Sequence, residues 1–232
     1  MAERTIEVRR DIRAEQQGEA RAFREDMTKG GTLIVRLLSS PGSGKTTLLE
    51  KTLEHLAQEY SVGVLVGDVE TNRDADRLKP YAPSVQITTG GACHLEIPLV
   101  TRKLPELGTQ HFDFLFIEDV GNLICPASHD LGEHLRIVVL SVTEGDDKPG
   151  KYPKVFRASH GVVINKTDLL PYVNFSIERA KTDALQVQHN LRFFCVSSTE
   201  GDGVLEWCDF LTANLRALTT EIDNRKTNIL TT

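Results

Sequence analysis

The chain has 232 residues, with 27 Lys and Arg against 33 Asp and Glu and a formal net charge of -6 at pH 7. Its 40% hydrophobic and 26% charged residues exclude wholesale disorder, and the acidic balance argues against a general nucleic-acid binder. No apolar run approaches the roughly 18–20 residues of a membrane-spanning helix, MAERTIEVRRDIRAEQQ lacks a secretory apolar core, and four Cys in this length point to a reducing cytoplasm.

Residues 1–30 read as a charged helical extension. Val8, Ile12, Ala20, Phe23 and Met27 form a thin apolar stripe at spacings compatible with one helix face, ended by Gly30-Gly31. The stripe predicts a solvated helix resting on the domain. Residues 31–220 form the main domain and 221–232 a C-terminal tail. Within the domain TLIVRLL (32–38), VGVLVG (62–67), VQIT (85–88), FDFLFI (112–117), RIVVLSV (136–142), HGVVI (160–164) and RFFCVS (192–197) read as strands. Most are continuous in Val, Ile, Leu and Phe, as strands covered on both faces are. The helical pattern TTLLEKTLEHLAQEY and others alternate with them. This predicts an α/β fold, a predominantly parallel sheet flanked by helices on both faces, with ligands at the carboxyl edge of the strands.

LLSSPGSGKTTLLE joins the first strand to the first helix of the domain. Gly42, Ser43 and Gly44 let backbone N–H groups curl around phosphate oxygens, helped by the helix N-terminus that carries Thr46 and Thr47. Lys45 supplies charge for the β and γ phosphates, and Thr46 offers a hydroxyl to Mg²⁺. Ser39 stands where the P-loop pattern has its first glycine, but the strand–loop–helix context makes this a nucleoside triphosphate site. The fold class is thus a P-loop NTPase.

Strand 160–164 runs into Asn165-Lys166-Thr167-Asp168. The Asp168 carboxylate can accept from the ring N–H and the exocyclic amine of guanine, whereas adenine would leave it unpaired. Asn165 would brace the loop, and the stem of Lys166 would pack over the base. A backbone N–H at Ser197 or Ser198 is placed to reach the guanine carbonyl. The ligand is therefore GTP or GDP rather than ATP.

Strands 62–67 and 112–117 end at Asp68 and at Glu118-Asp119. Asp68 is the candidate for Mg²⁺, directly or through water, and Glu118 for the metal or the attacking water. With Lys45 they form the expected catalytic set. Asp119 reads as a loop-satisfying strand end, and Gly121 is placed for its N–H to sense the γ-phosphate. The helical pattern of Leu95, Leu99, Val100, Leu104 and Leu107 between the two strands implies parallel neighbours.

Cys93 and His94 adjoin in TGGACHLE, and Cys125 follows in EDVGNLICPA. Their spacing is not that of a zinc motif, so burial or a reactive thiol reads the same residues. Their place on segments expected to move on hydrolysis favours metal ligation, and thiolate with imidazole suits Zn²⁺ or Ni²⁺. Three ligands leave a site incomplete, as sharing across a dimer or an open handover position requires. Cys195 and Cys208 read as core.

SSPGSGKTTLLE, GDVETNRDADRL, TGGACHLE, FIEDVGNLICPA, SVTEGDDKPGKYP and NKTDLLP, in that order, resemble the hydrogenase nickel-incorporation GTPases (the HypB family, SIMIBI-type), relatives of the urease accessory GTPases. The resemblance runs from about Leu33 to Leu215. It implies a GTPase that dimerises with GTP and delivers nickel during maturation of nickel–iron hydrogenase. It also implies other maturation factors and the hydrogenase large-subunit precursor as partners. It makes Cys93, His94 and Cys125 the metal ligands of the GTPase domain and puts Lys148 near nucleotide at the dimer interface, with a solvated loop lysine as the alternative reading of Lys148. In the family Asn is common where Asp119 stands. No Cys precedes Cys93 and the seven His are scattered, so nickel storage is not expected. The alternatives are a urease-type nickel GTPase, a GTP-dependent scaffold with structural cysteines, and a P-loop kinase.

Overall fold

A computed structural model of the chain describes residues 2–69, 73–108 and 111–230, with side chains for 14–69, 73–108 and 111–224. Val8 and Ile12 of the predicted stripe, and residues 70–72 of GDVETNRDADRL, therefore lie outside the described side chains.

The strands are β1 (Leu33–Ser39), β2 (Val62–Asp68), β3 (Ser84–Thr88), β4 (Phe114–Glu118), β5 (Leu135–Ser141), β6 (Gly161–Asn165) and β7 (Arg192–Val196). They form one sheet in the order β3-β2-β4-β1-β5-β6-β7. Every pairing in it is parallel. The strands expected at the sequence level are the strands found: the inner five are apolar runs covered on both faces, whereas the edge strands β3 and β7 are only partly buried. β2 and β4 are parallel neighbours, with Val66 beside Glu118. The crossover between them is more divided than the apolar pattern suggests. β3 intervenes at the sheet edge, and only α4 (Ile97–Lys103) is α-helical, continued by a 3₁₀ turn over Leu104–Leu107. Leu95 precedes the helix; Pro98 at its start and Pro105 after its end confine it.

β1 is central, flanked by β4 and β5. Its carboxyl end is thus the crevice where chain connections diverge to opposite sides of the sheet. Alternate residues of β1 face opposite layers. Leu33, Val35 and Leu37 pack with Leu48, Leu49 and Leu53 of α2 (Lys45–Leu56) and with Trp207 and Leu211 of α8 (Val204–Leu230). Ile34 belongs to the other layer, with Leu65, Leu115, Val100 and Ala20 of α1 (Ala2–Lys29). A third cluster fills the β5–β6 side under α6 (Pro153–Arg157) and α7 (Ile177–Val187). The remaining short helices are α3 (Arg73–Leu78) and α5 (Lys148–Lys151).

Cys208 is buried as expected, but Cys195 is only half-buried, because β7 is an edge strand. α8 continues as one helix across the boundary expected at 220. Among the described residues, no helix is long and apolar enough to cross a membrane.

Candidate nucleotide and metal sites

The loop between β1 and α2 closes on itself before any ligand is added. Gly44 has φ 93°, a left-handed conformation that a side chain would strain, and a Cβ there would stand 2.6 Å from Asn165 Nδ2. Asn165 uses that amide to donate to Ser43 O at 3.0 Å, while its Oδ1 accepts from Ser198 Oγ at 2.7 Å and from Lys166 N at 2.8 Å. One buried amide thus ties the phosphate loop to the turn after β7. Lys45, only 8% exposed, donates from Nζ to Ser39 Oγ at 2.7 Å. Ser39 stands where the pattern has glycine, and its hydroxyl holds the lysine ammonium.

Thr46 Oγ1 donates to Glu118 Oε1 at 2.8 Å. The other carboxylate oxygen, Oε2, is buried and has no hydrogen-bond partner among the described residues. Burial pushes the Glu118 carboxyl up to about 7, against the pull of Lys45 and Thr46. A hydroxyl and an under-partnered carboxylate side by side are oxygen donors that Mg²⁺ accepts, so the residues present fit that ion. Asp68, at the end of β2, lines the same cleft of ≈ 420 Å³, as do Gly42, Thr47, Gly121 and Lys166. Asp68 Oδ1 accepts from Val69 N at 2.5 Å.

Two charged residues of this cleft were not singled out in the sequence. Asp74 and Arg77 of α3 line it, and Arg77 grips Glu50 with two nitrogens, at 2.6 and 3.0 Å, and donates to Thr47 Oγ1 at 3.1 Å. The signal was available only as charges in a short helix directly after the β2 carboxylate.

On the far side of the loop, Lys166 has φ 63°, the only non-glycine residue with positive φ among those described, and its Nζ donates to Gly42 O at 2.7 Å. Backbone strain of this kind needs surrounding contacts to hold it, here the Asn165 and Gly42 bonds. Asp168 Oδ1 accepts from Ser197 Oγ at 2.6 Å. The backbone amides of Ser197 and Ser198 differ from expectation. They donate to Asp202 O at 3.0 Å and to Asn165 Oδ1 at 3.3 Å, so both are engaged within the protein rather than offered to a base. Lys148 donates to Ser40 Oγ at 2.8 Å and pairs with Glu144 at 2.9 Å, which holds it against the phosphate loop.

The metal candidates converge from separate loops. One donor atom each of Cys93, His94 and Cys125 lie within 4.8 Å of one another, all three residues half-buried. Hydrogen bonding to Cys125 is the main cause that raises the Cys93 thiol above its usual range. A bound cation would reverse that preference by taking the thiolate. A second group, His94, Glu96 and His129, meets the same distance limit.

Beneath these loops lies a buried ion network. Arg36, in the middle of β1 and fully buried, donates through Nε to Asp119 Oδ2 at 2.8 Å and also through Nη2 to that oxygen. Its Nη1 reaches Glu133 Oε1 at 3.2 Å and His129 O at 2.5 Å. Arg136 Nε donates to the same Glu133 oxygen at 2.6 Å. Asp119 Oδ1 in turn accepts from Val120 N at 2.8 Å and Leu95 N at 3.3 Å. Asp119 is therefore more than a strand end. It pins the segment after His94, while its neighbour Glu118 holds Thr46.

The chain's likeness to known proteins agrees with this geometry. The model of the CobW/HypB/UreG nucleotide-binding domain matches residues 33–195. The hydrogenase maturation factor HypB of Escherichia coli K12 is 42% identical over 209 residues, covering 90% of this chain and 72% of that protein. The hydrogenase/urease maturation factor HypB of Helicobacter hepaticus is 42% identical over 213 residues, 90% of this chain and 87% of that one. The crystal structure of HypB from Helicobacter pylori in complex with nickel superposes with TM-score 0.81 at 38% identity, covering 88% of this chain and 96% of that chain. Sheet order, phosphate loop and sequence thus converge: this chain belongs to the CobW/HypB/UreG family, on its HypB branch.

Proposed function

We propose that the chain is a GTP-hydrolysing metallochaperone whose nucleotide state sets its affinity for a nickel or zinc cargo. The reading has GTP promote a homodimer that delivers nickel during hydrogenase maturation in the cytoplasm, with other maturation factors and the hydrogenase large-subunit precursor as partners. The observation that carries it is the adjacency of Glu118, bonded to Thr46, and Asp119, bonded to the Leu95 amide next to His94. Two successive residues at the end of β4 thereby touch the phosphate side and the metal side.

In this reading Gly42, Ser43, Gly44, Lys45 and Thr47 hold the phosphates. Thr46, Asp68 and Glu118 would hold Mg²⁺, which would supply neutralisation of charge on the transferred phosphoryl group. The N–H of Gly121 senses the γ-phosphate, and Lys148 approaches it from the partner-facing side. Asp168 selects guanine, with Asn165, Lys166, Ser197 and Ser198 shaping its loop. Cys93, His94 and Cys125 take the cargo. Holding or releasing the end of β4 changes the separation of the Cys93-His94 and Cys125 segments.

Coupling of this kind is reciprocal: if GTP weakens cargo binding, cargo weakens GTP binding by the same factor. The test is Ni²⁺ and Zn²⁺ affinity, with molecular mass by light scattering, in GDP and in a non-hydrolysable GTP analogue. A nucleotide-dependent affinity that Cys125→Ala blunts is expected; equal affinity in both states sinks the coupling. The name of the Helicobacter hepaticus relative joins hydrogenase to urease. Urease is therefore the second reading of the client, separated by which precursor the purified chain activates.

A further inference from the structure

Different donors face the two ring nitrogens of His94. Nδ1 lies 3.8 Å from the Cys93 thiol, whereas Nε2 lies 3.5 Å from Glu96 Oε1. The His129 ring stacks on His94, with centroids 3.9 Å apart and planes at 18°. His129 Nδ1 is 3.0 Å from Cys125 O. A carbonyl only accepts, so Nδ1 carries the hydrogen and the lone pair is on Nε2. That bond fixes ring and tautomer as the outer-shell bonds of metal-ligating histidines do.

A pocket of ≈ 220 Å³ opens over Glu96 and His129, and Gln16 and Gln17 of α1 form part of its wall. The Glu96 side chain is 45% exposed. Donor atoms within 4.8 Å of one another need close only to about 3.3 Å to surround an ion held at roughly 2.0–2.2 Å.

We propose that His94, Glu96 and His129 form a second seat for a divalent cation, built of nitrogen and oxygen donors, beside the sulfur-bearing seat of Cys93 and Cys125. It extends the cargo reading of those cysteines and shares only His94 with it. A neutral imidazole offers one lone-pair nitrogen, so His94 serves one seat at a time. An ion entering from the pocket is thus received by imidazole and carboxylate, and reaches the thiolates when His94 changes tautomer, its Nδ1 already facing Cys93. The donor set suits Zn²⁺, Co²⁺ or Ni²⁺ rather than Mg²⁺ or Ca²⁺.

Co²⁺ titration of the full chain tests this, because cobalt absorption distinguishes thiolate from nitrogen and oxygen ligands. The Cys93→Ser/Cys125→Ser chain is expected to bind Co²⁺ without thiolate charge-transfer absorption. Adding His129→Phe, which keeps the ring stack, should weaken that binding at least about tenfold, the scale of loss for metal-site partners. If the double variant binds no more tightly than the triple, the second seat does not exist. His129→Phe in the chain with both thiols should keep the thiolate band; its loss would make His129 part of the sulfur seat and overturn the two-seat reading. Absence of a thiolate band from the unsubstituted chain counts against the sulfur seat alone, so the two failures are distinguishable. GTP-analogue binding by each variant checks that it is folded.

Discussion

Two glutamates in this molecule are both buried and oppositely treated. Glu118 is 3% exposed and Glu133 is 6% exposed. Glu118 has one oxygen on a threonine hydroxyl and the other without a partner among the described residues, and burial drives its carboxyl up to about 7. Burial would raise Glu133 too, but Arg36 and Arg136 outweigh it and, with the Leu131 amide at 2.8 Å, hold it at about 2. The cleft is a place left unfinished for a ligand, and the network beneath it is finished without one. Incomplete satisfaction of a buried group marks function more sharply than burial or charge does.

The largest effect should come from unpicking the finished region. Arg36→Met leaves Asp119 and Glu133 buried with their main cation gone, and breaking such a pair costs about 3–5 kcal/mol. Urea unfolding measures this. A loss below about 1 kcal/mol would mean the network is not the pin that separates it from the cleft.

A pH series reads the contrast directly, in nucleotide-free protein. The raised Glu118 carboxyl keeps a proton in the fold that the unfolded chain releases above 4.5, so its contribution falls as pH rises from about 4.5 to about 7. The span corresponds to about 3 kcal/mol. Glu133 has the opposite sign: its contribution is full above 4.5 and is lost as pH falls towards about 2. His134 overlaps the first window. Burial and then Arg24 lower it from 6.5 to about 4, so its contribution is lost as pH falls through that range. His129 and His160, also lowered by burial, add to His134 with the same sign, so the parent curve mixes opposing contributions and only a difference isolates Glu118. Glu118→Gln should gain about 3 kcal/mol relative to the parent between pH 4.5 and 7; a flat difference would show that the cleft carboxylate is satisfied after all.

The unfinished region was legible in the sequence and the finished one was not. Gly44, Lys45, Thr46 and Asp168 declare themselves because phosphate and guanine chemistry demand fixed residue types at fixed spacing. The strands were legible because burial on both faces leaves uninterrupted apolar runs. Arg36 was visible as a charge inside LIVRLL, a signal that a buried partner must exist, but nothing local names Asp119 and Glu133 as that partner. They arrive through the loop between β4 and β5, which folds back over β1 without any periodicity. His129 was missed for the same reason: it reaches His94 from the loop between β4 and β5, and a single His in ASHD carries no spacing signal. Glu96 lay inside TGGACHLE, two residues after His94, but without His129 nothing marked it as a donor.

The smallest effect lies where α1 meets the domain, and it sharpens the comparison through salt. Ala20 is fully buried, while Phe23 and Met27 are only partly so; the described part of α1 therefore rests on few apolar contacts. A close fit adds to them: a Cβ on Gly132, at φ 79°, would stand 2.8 Å from Ala20 O and 2.7 Å from Phe23 Cδ1. Arg24 supplements this contact with bonds of 2.6 and 2.8 Å to Asp130 and one of 3.1 Å to Glu133 O. The pair's side chains are 32% and 35% exposed, however, so water and ions screen it. Arg24→Met should cost only about 1 kcal/mol, seen as faster amide exchange in the last turns of α1 with the sheet unchanged. In about 1 M salt, where the Debye length is near 3 Å, most of that difference should vanish. The cost of Arg36→Met should persist there, because counterions do not reach a fully buried guanidinium. Equal salt sensitivity in the two variants would mean that the β1 network is wetter than its geometry, and the contrast with Glu118 would then lie in hydrogen-bond count rather than in exclusion of water.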